Sequence, residues 1–237
     1  MPNWTWNKVV CKKQLLDKLV DKTDDVYSLD FNKLIPMPES LEIVADSFEE
    51  KAVASYYLSL NKTDKCELHD EFENTKLDFY GNYWEKYKNY IRDYKDNPNK
   101  LEEVNKSFDK MEKKDYRNIT NLNELGKLYV FNILNFGNSQ WYDWCCNHWG
   151  TKWNVLNDVD VKYNKSFKKY EIIFHTPWSP PYGIIYAYSQ LCNEKDFHWE
   201  YQCEDEEIHY CFKKKNNKLI RKKLDKEKGE VDDEREM

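Results

Sequence analysis

Glycine and proline are scarce here, with six Gly and seven Pro among 237 residues. That composition excludes a low-complexity chain. No apolar run approaches the ~18 residues needed to cross a bilayer. The opening Met1-Pro-Asn-Trp-Thr-Trp6 is polar and lacks the apolar segment of an export signal. The seven cysteines (11, 66, 145, 146, 192, 203 and 211) are odd in number and share no repeated spacing. They read as reduced thiols in a cytoplasm rather than as a disulfide framework. Also missing are a Gly-Lys-Ser/Thr phosphate loop, a Gly-x-Ser-x-Gly elbow, a dinucleotide fingerprint and a four-cysteine iron–sulfur pattern.

What is present points to a folded chain. Hydrophobic residues make up 40% and aromatics 16%, enough for one large domain or two small ones. The net charge of −6 is unevenly spread. Residues 213–228 carry about +7, residues 229–237 about −4, and residues 1–212 about −9. An acidic body argues against non-specific binding to a phosphate backbone and favours a basic partner surface.

Four of the nine tryptophans, Trp141, Trp144, Trp149 and Trp153, lie between Gly137 and Asn154. Trp141 and Trp144 are three apart, so a helix puts them on one face. Gly150 follows the last helical position and suits a left-handed C-cap. Thr151, Lys152 and Trp153 then lead toward a strand. The stretch predicts a helix-to-sheet joint filled by indoles.

Residues 4–11 alternate, with Val9 and Cys11 on one side and Trp6, Lys8 and Val10 on the other, which predicts a strand. Leu15, Leu16, Leu19 and Val20 predict a short helix, and 26–31 a second strand. Helical spacing then runs from Leu41 to Phe136, with a break at Asn97-Pro98 and a cap at Asn121. Gly126 costs that last helix ~1 kcal/mol unless packing requires it. After the Trp-rich joint the period falls to two. Strands are expected at 158–163, 169–175, 197–203, 208–212 and 218–224, with a helix at 184–192. The predicted fold class is α+β: an antiparallel sheet built from N- and C-terminal strands, with a large helical insertion. The expected division is 1–38 as strand–helix–strand joining the sheet, 39–149 as the insertion, 150–224 as the C-terminal sheet part, and 225–237 as a disordered tail.

Each chemical candidate has a plainer reading. His198, Cys203, His209 and Cys211, and separately Cys145, Cys146 and His148, lack paired metal-ligand spacing. Glu200 and Glu204 share a strand face with His198, which suits acid–base work but equally a solvated sheet face. The expectation is therefore no catalytic residue, no metal and no cofactor. The ring-rich strand 197–203 reads as a core floor more readily than as a base-stacking platform. The stripe Tyr80, Tyr83, Trp84, Tyr87, Tyr90 and Tyr94 is rich enough in rings to predict a partner-binding face.

Several segments together resemble a phage- and plasmid-borne protein family with a YubB-type ferredoxin-like domain. They are Met1-Pro-Asn-Trp4 with Asn7, Phe31-Asn-Lys-Leu-Ile-Pro-Met-Pro-Glu39, Trp141-Tyr-Asp-Trp144, and Asn147-His-Trp-Gly-Thr-Lys-Trp-Asn154. Phe174-His-Thr-Pro-Trp-Ser-Pro-Pro181 and the strand 200–204 also fit. The chain departs from the pattern at Thr5, where Cys is frequent, at Glu206-Glu207-Ile208, and throughout residues 40–136. The resemblance implies a ferredoxin-like sheet without a cluster and a mobile-element origin, and it implies no activity.

The functional expectation is a non-enzymatic binding protein, acting in the cytoplasm of a bacterial host by docking on a host protein. Its sharpest form is an anti-defence, anti-CRISPR type inhibitor of an RNA-guided nuclease. Two alternatives stand beside it: a nucleic-acid-binding accessory protein using the sheet and residues 213–228, and an uncharacterised enzyme with a pocket around Glu200 and Glu204.

Overall fold

A computed structural model describes residues 3–24, 26–77, 80–155, 159–204, 206–225 and 229–236. In chain order the elements begin with β1 (Trp4–Cys11), α1 (Lys13–Leu16), β2 (Val20–Thr23) and β3 (Val26–Leu29). A helical stretch follows: α2 (Glu49–Ser59), α3 (Lys62–Asn74), β4 (Lys76–Leu77), β5 (Gly81–Asn82), α4 (Tyr83–Asp96), α5 (Pro98–Asp109), α6 (Leu122–Phe136) and α7 (Trp141–His148). Then come β6 (Asp160–Asn164), β7 (Lys169–Pro177), α8 (Tyr182–Leu191), β8 (Trp199–Cys203), β9 (His209–Lys215), β10 (Lys218–Asp225) and β11 (Gly229–Glu236). The chain is mixed α+β, and no helix among the described residues is long and apolar enough to cross a membrane.

Two compact units result. One comprises residues 1–37 and 145–237, the other residues 38–144. The sequence reading set the helical segment at 39–149, a few residues longer at its C-terminal end.

The first unit is a seven-stranded antiparallel sheet of order β11-β10-β9-β8-β1-β7-β6. β1 lies inside the sheet, pairing Asn7 with Phe174 on β7 and with Tyr201 on β8. The alternation read from residues 4–11 is the alternation observed: Thr5, Asn7, Val9 and Cys11 are buried. Ile172, Phe174, Trp199, Tyr201 and Phe212 share that face. Helix α8 covers it, with the Tyr188 ring 5.9 Å from Trp199 and Tyr182 6.2 Å from Tyr201. The rings of β8, read from the sequence as a core floor, therefore floor a helix of their own unit.

Two expectations in this unit are corrected. Residues 26–29 do not enter the main sheet; they form a separate two-stranded sheet with Val20–Thr23. The helix before it stops at Leu16, so Val20, a β-branched residue suited to strands, begins β2. At the other end, residues 229–236 pair with β10 where a disordered tail was expected. That pairing satisfies backbone groups that β10 would leave open as an edge strand.

The second unit is a helical bundle. Phe48, Phe108 and Tyr116 form one aromatic cluster, with ring centroids 5.1 to 6.2 Å apart. Phe72, Tyr83 and Tyr87 form another. Gly126 is required by packing: a Cβ there would lie 1.9 Å from the Ala52 carbonyl oxygen of α2. The Asn121 side chain caps α6 by accepting from Glu124 N at 2.8 Å. Asn97 precedes Pro98 at the start of α5 as expected, but its side chain bonds back to Asp93 instead of capping. The long helical pattern is interrupted by the small hairpin β4–β5, which pairs Lys76 with Asn82 and Leu77 with Gly81.

Candidate functional site

The motif around Gly150 is built into the sheet unit. Trp149 is buried against Phe31 at 5.7 Å, and its Nε1 donates to the Ile35 carbonyl at 2.9 Å. Gly150 adopts φ +82° as the C-cap reading predicts. Its backbone lies so near α8 that a Cβ would meet Tyr182 N at 2.7 Å. Thr151 Oγ1 donates to the Pro177 carbonyl at 2.8 Å, and Ser179 Oγ to the Gly150 carbonyl at 2.6 Å. Asn154 Oδ1 accepts from Phe31 N, and its Nδ2 donates to Asp30. These bonds tie the segment after α7 to the end of β7 and to the turn after β3. Trp144 is buried too, while Trp141 is half-buried beside Tyr142.

The last part of the motif behaves differently. The Lys152 ammonium lies 5.0 Å from the Trp153 ring and 4.4 Å from the ring of Trp178. Trp178 holds φ +69° and is half exposed. Trp153 is only half-buried and meets Trp4 edge-on at 6.5 Å. These two rings open a cleft of about 650 Å³, lined also by Trp6, His175, Gln202 and Glu204. Trp4 and Trp6 occupy the face of β1 opposite the core, so the cleft lies on the face that α8 leaves uncovered. Glu204 Oε2 accepts from Trp4 N at 2.8 Å, which fixes its carboxylate at the cleft rim.

Beside the cleft lies a second polar group. Trp6 meets His209 edge-on at 5.2 Å. The His209 Nε2 is 3.4 Å from one Glu200 oxygen, and the His198 Nε2 is 2.5 Å from the other. Burial pushes the Glu200 carboxyl upward, but the His198 hydrogen bond, with the charges of His198, Lys8 and His209, outweighs it and holds the group below its ordinary range. The two carboxylates singled out from the sequence are thus separated: Glu204 lines the cleft, and Glu200 is engaged by imidazoles outside its lining.

The seven thiols differ in exposure. Burial pushes Cys11 up to about 11, and Cys145 and Cys192 up to about 12. Cys66 alone is exposed. The grouping of His, Cys, Asp or Glu with ligand atoms close enough for a cation, among the described residues, is the surface trio His69, Asp70 and Glu73. The sequence reading did not single it out.

The tyrosine stripe of α4 is largely core. Tyr83, Tyr87 and Tyr94 are buried, and Tyr87 donates to a buried Glu49 at 2.6 Å. That correction has a simple cause: an amphipathic stripe is the face a helix buries. Tyr80 and Tyr90 remain exposed, and Trp84 is half-buried. The indoles of the cleft were missed as a site. The available signal was the placement of Trp6 opposite Val9, an indole on the polar side of a half-buried strand.

Comparison with family models, curated proteins and solved structures finds no match to the chain.

Proposed function

We propose that this is a non-enzymatic binding protein of a phage or mobile element that docks on a host protein, and that the sheet-unit cleft receives a cationic side chain of that partner. The observation that carries the reading is the cleft's chemistry: three indoles, Trp4, Trp6 and Trp153, around a carboxylate, Glu204. An indole face attracts Arg or Lys by about 0.5–2 kcal/mol. A carboxylate adds a charge-assisted hydrogen bond to the same group. The charge distribution supports a basic partner. Residues 38–144 hold 21 acids against 15 Lys/Arg, whereas the sheet unit balances 22 against 22. Such a field steers encounters with basic surfaces. An RNA-guided nuclease, whose nucleic-acid channel is basic, is the partner class this charge fits best.

The strand order supports the ferredoxin-like sheet expected from the sequence. β8-β1-β7-β6 follows the plan of a split β-α-β ferredoxin-like sheet, with α8 in the second crossover. In this reading β9, β10 and β11 extend the sheet beyond β8, and residues 38–144 occupy the first crossover.

A second reading rests on β9 and β10. Their basic residues lie in the same sheet as the cleft, so rings and cations are offered together. A nucleic-acid accessory role would use both. Lys214, however, is committed to the carbonyls of Ser189 and Cys192 at 3.0 and 3.1 Å.

Affinity capture from a bacterial lysate, followed by a cleavage assay with the captured nuclease, tests the proposal. The wild type should retain the nuclease at low salt, lose it at high salt and block cleavage, whereas the Trp6→Ala/Glu204→Gln variant should do neither. Capture unaffected by this double change would refute the cleft's role. Tight, steeply salt-dependent gel shifts with oligonucleotides would favour the second reading.

A further inference from the structure

The helical unit has a groove of its own, about 680 Å³, between α2, α3 and α4. Its floor is aromatic and aliphatic: Trp84 and Tyr57 lie 5.7 Å apart between ring centroids, tilted by 52°. One wall carries Lys88, Arg92 and Lys95, at positions i, i+4 and i+7 of α4, with Asp96 at the end. At 1.5 Å rise per residue these cations span about 10 Å of one helical face. The Arg92 guanidinium is held by Asn89 Oδ1 at 3.1 Å, and Lys88 is paired with Glu85. The volume falls in the range of small-ligand sites.

We propose that this groove binds a free nucleotide, with its base against Trp84 and its phosphates on Lys88, Arg92 and Lys95. Two features select this class. A ring floor beside clustered cations fits a ligand that is both aromatic and polyanionic. The unit around the groove carries a net −6 (21 acids, 15 Lys/Arg), so its positive charge is local. A compact anion avoids the surrounding acids that a long phosphate backbone would meet. Asp96 offers an acceptor to a ribose hydroxyl at the groove's end.

Isothermal titration of the full chain with ATP, GTP, CTP and UTP tests the site, and adenosine, inorganic tripolyphosphate and a single-stranded oligonucleotide serve as comparison probes. At least one nucleotide should bind with 1:1 stoichiometry. Adenosine and tripolyphosphate should each bind at least tenfold more weakly than that nucleotide. Arg92→Glu, an exposed change, should weaken binding at least tenfold without moving the melting temperature. Trp84→Ala should weaken it by about tenfold, the worth of one base–ring stack. Should Trp84→Ala unfold the unit, Trp84→Leu and Lys88→Glu serve in its place. No saturable nucleotide binding overturns the proposal. So does binding indifferent to Arg92→Glu, or equal affinity for tripolyphosphate. An oligonucleotide that binds more tightly than any free nucleotide overturns the choice of ligand.

Discussion

Single residues decide several features of this molecule through contact distance alone. Gly126 lets α6 approach the Ala52 backbone, and Gly183 lets α8 approach the His148 carbonyl, where a Cβ would lie at 1.8 Å. Gly126→Ala and Gly183→Ala should each cost about 3 kcal/mol by overpacking, read as a lowered urea midpoint. An unchanged midpoint would mean the backbones separate freely. Glu200 gives a pH signature. Its folded value is depressed, so its stabilisation is present above the ordinary carboxylate value and fades as pH falls through the folded one. Wild type should therefore lose stability below about pH 4 more steeply than Glu200→Gln, as thermal melts across pH would record. Among the thiols, exposed Cys66 should react first with iodoacetamide at neutral pH, and Cys11, Cys145 and Cys192 should resist until unfolding. Peptide mass spectrometry over time distinguishes these sites.

Helix and strand termini show how local signals and distant contacts share the work. Lys214 on β9 caps the C-terminal end of α8 by donating to two carbonyls, a favourable place for a cation. Lys214→Met should expose those carbonyls and cost about 2 kcal/mol, with faster amide hydrogen exchange in the last turn of α8. No change in exchange there would show that the ammonium is not the cap that matters. The cap of α6 at Asn121 and the helix end at Gly150 were legible because their signals are confined to a few residues. So was β1, whose alternation needs no partner. The separate pairing of β2 with β3 was not legible, since residues 26–29 read as strand whichever sheet they join. Nor was the hairpin β4–β5, two residues per strand inside a helical pattern. The stripe on α4 was legible as amphipathic, but periodicity does not say whether the ring-bearing face meets core or partner.

At the scale of the molecule, each unit has its own core and its own charge. The helical unit carries the net acidity, and the sheet unit is balanced. The cleft arises from pairing Thr5 on β1 with Thr176 and Cys203, residues about 170 and 200 positions away. That separation is why the sequence disclosed Trp4, Trp6, Trp153 and Glu204 only as scattered residues. The indole motif has two parts: Trp149 and its neighbours lock the sheet unit, while Trp153 turns outward to the cleft. The most direct test of the cleft is a titration followed on the indole N–H signals of the nine tryptophans, using a short arginine peptide and its citrulline analogue. The account predicts that the arginine peptide shifts the signals of Trp4, Trp6 and Trp153, that Glu204→Gln abolishes the shifts, and that the citrulline peptide leaves them in place. Shifts confined to other indoles, or an equal response to citrulline, would contradict it.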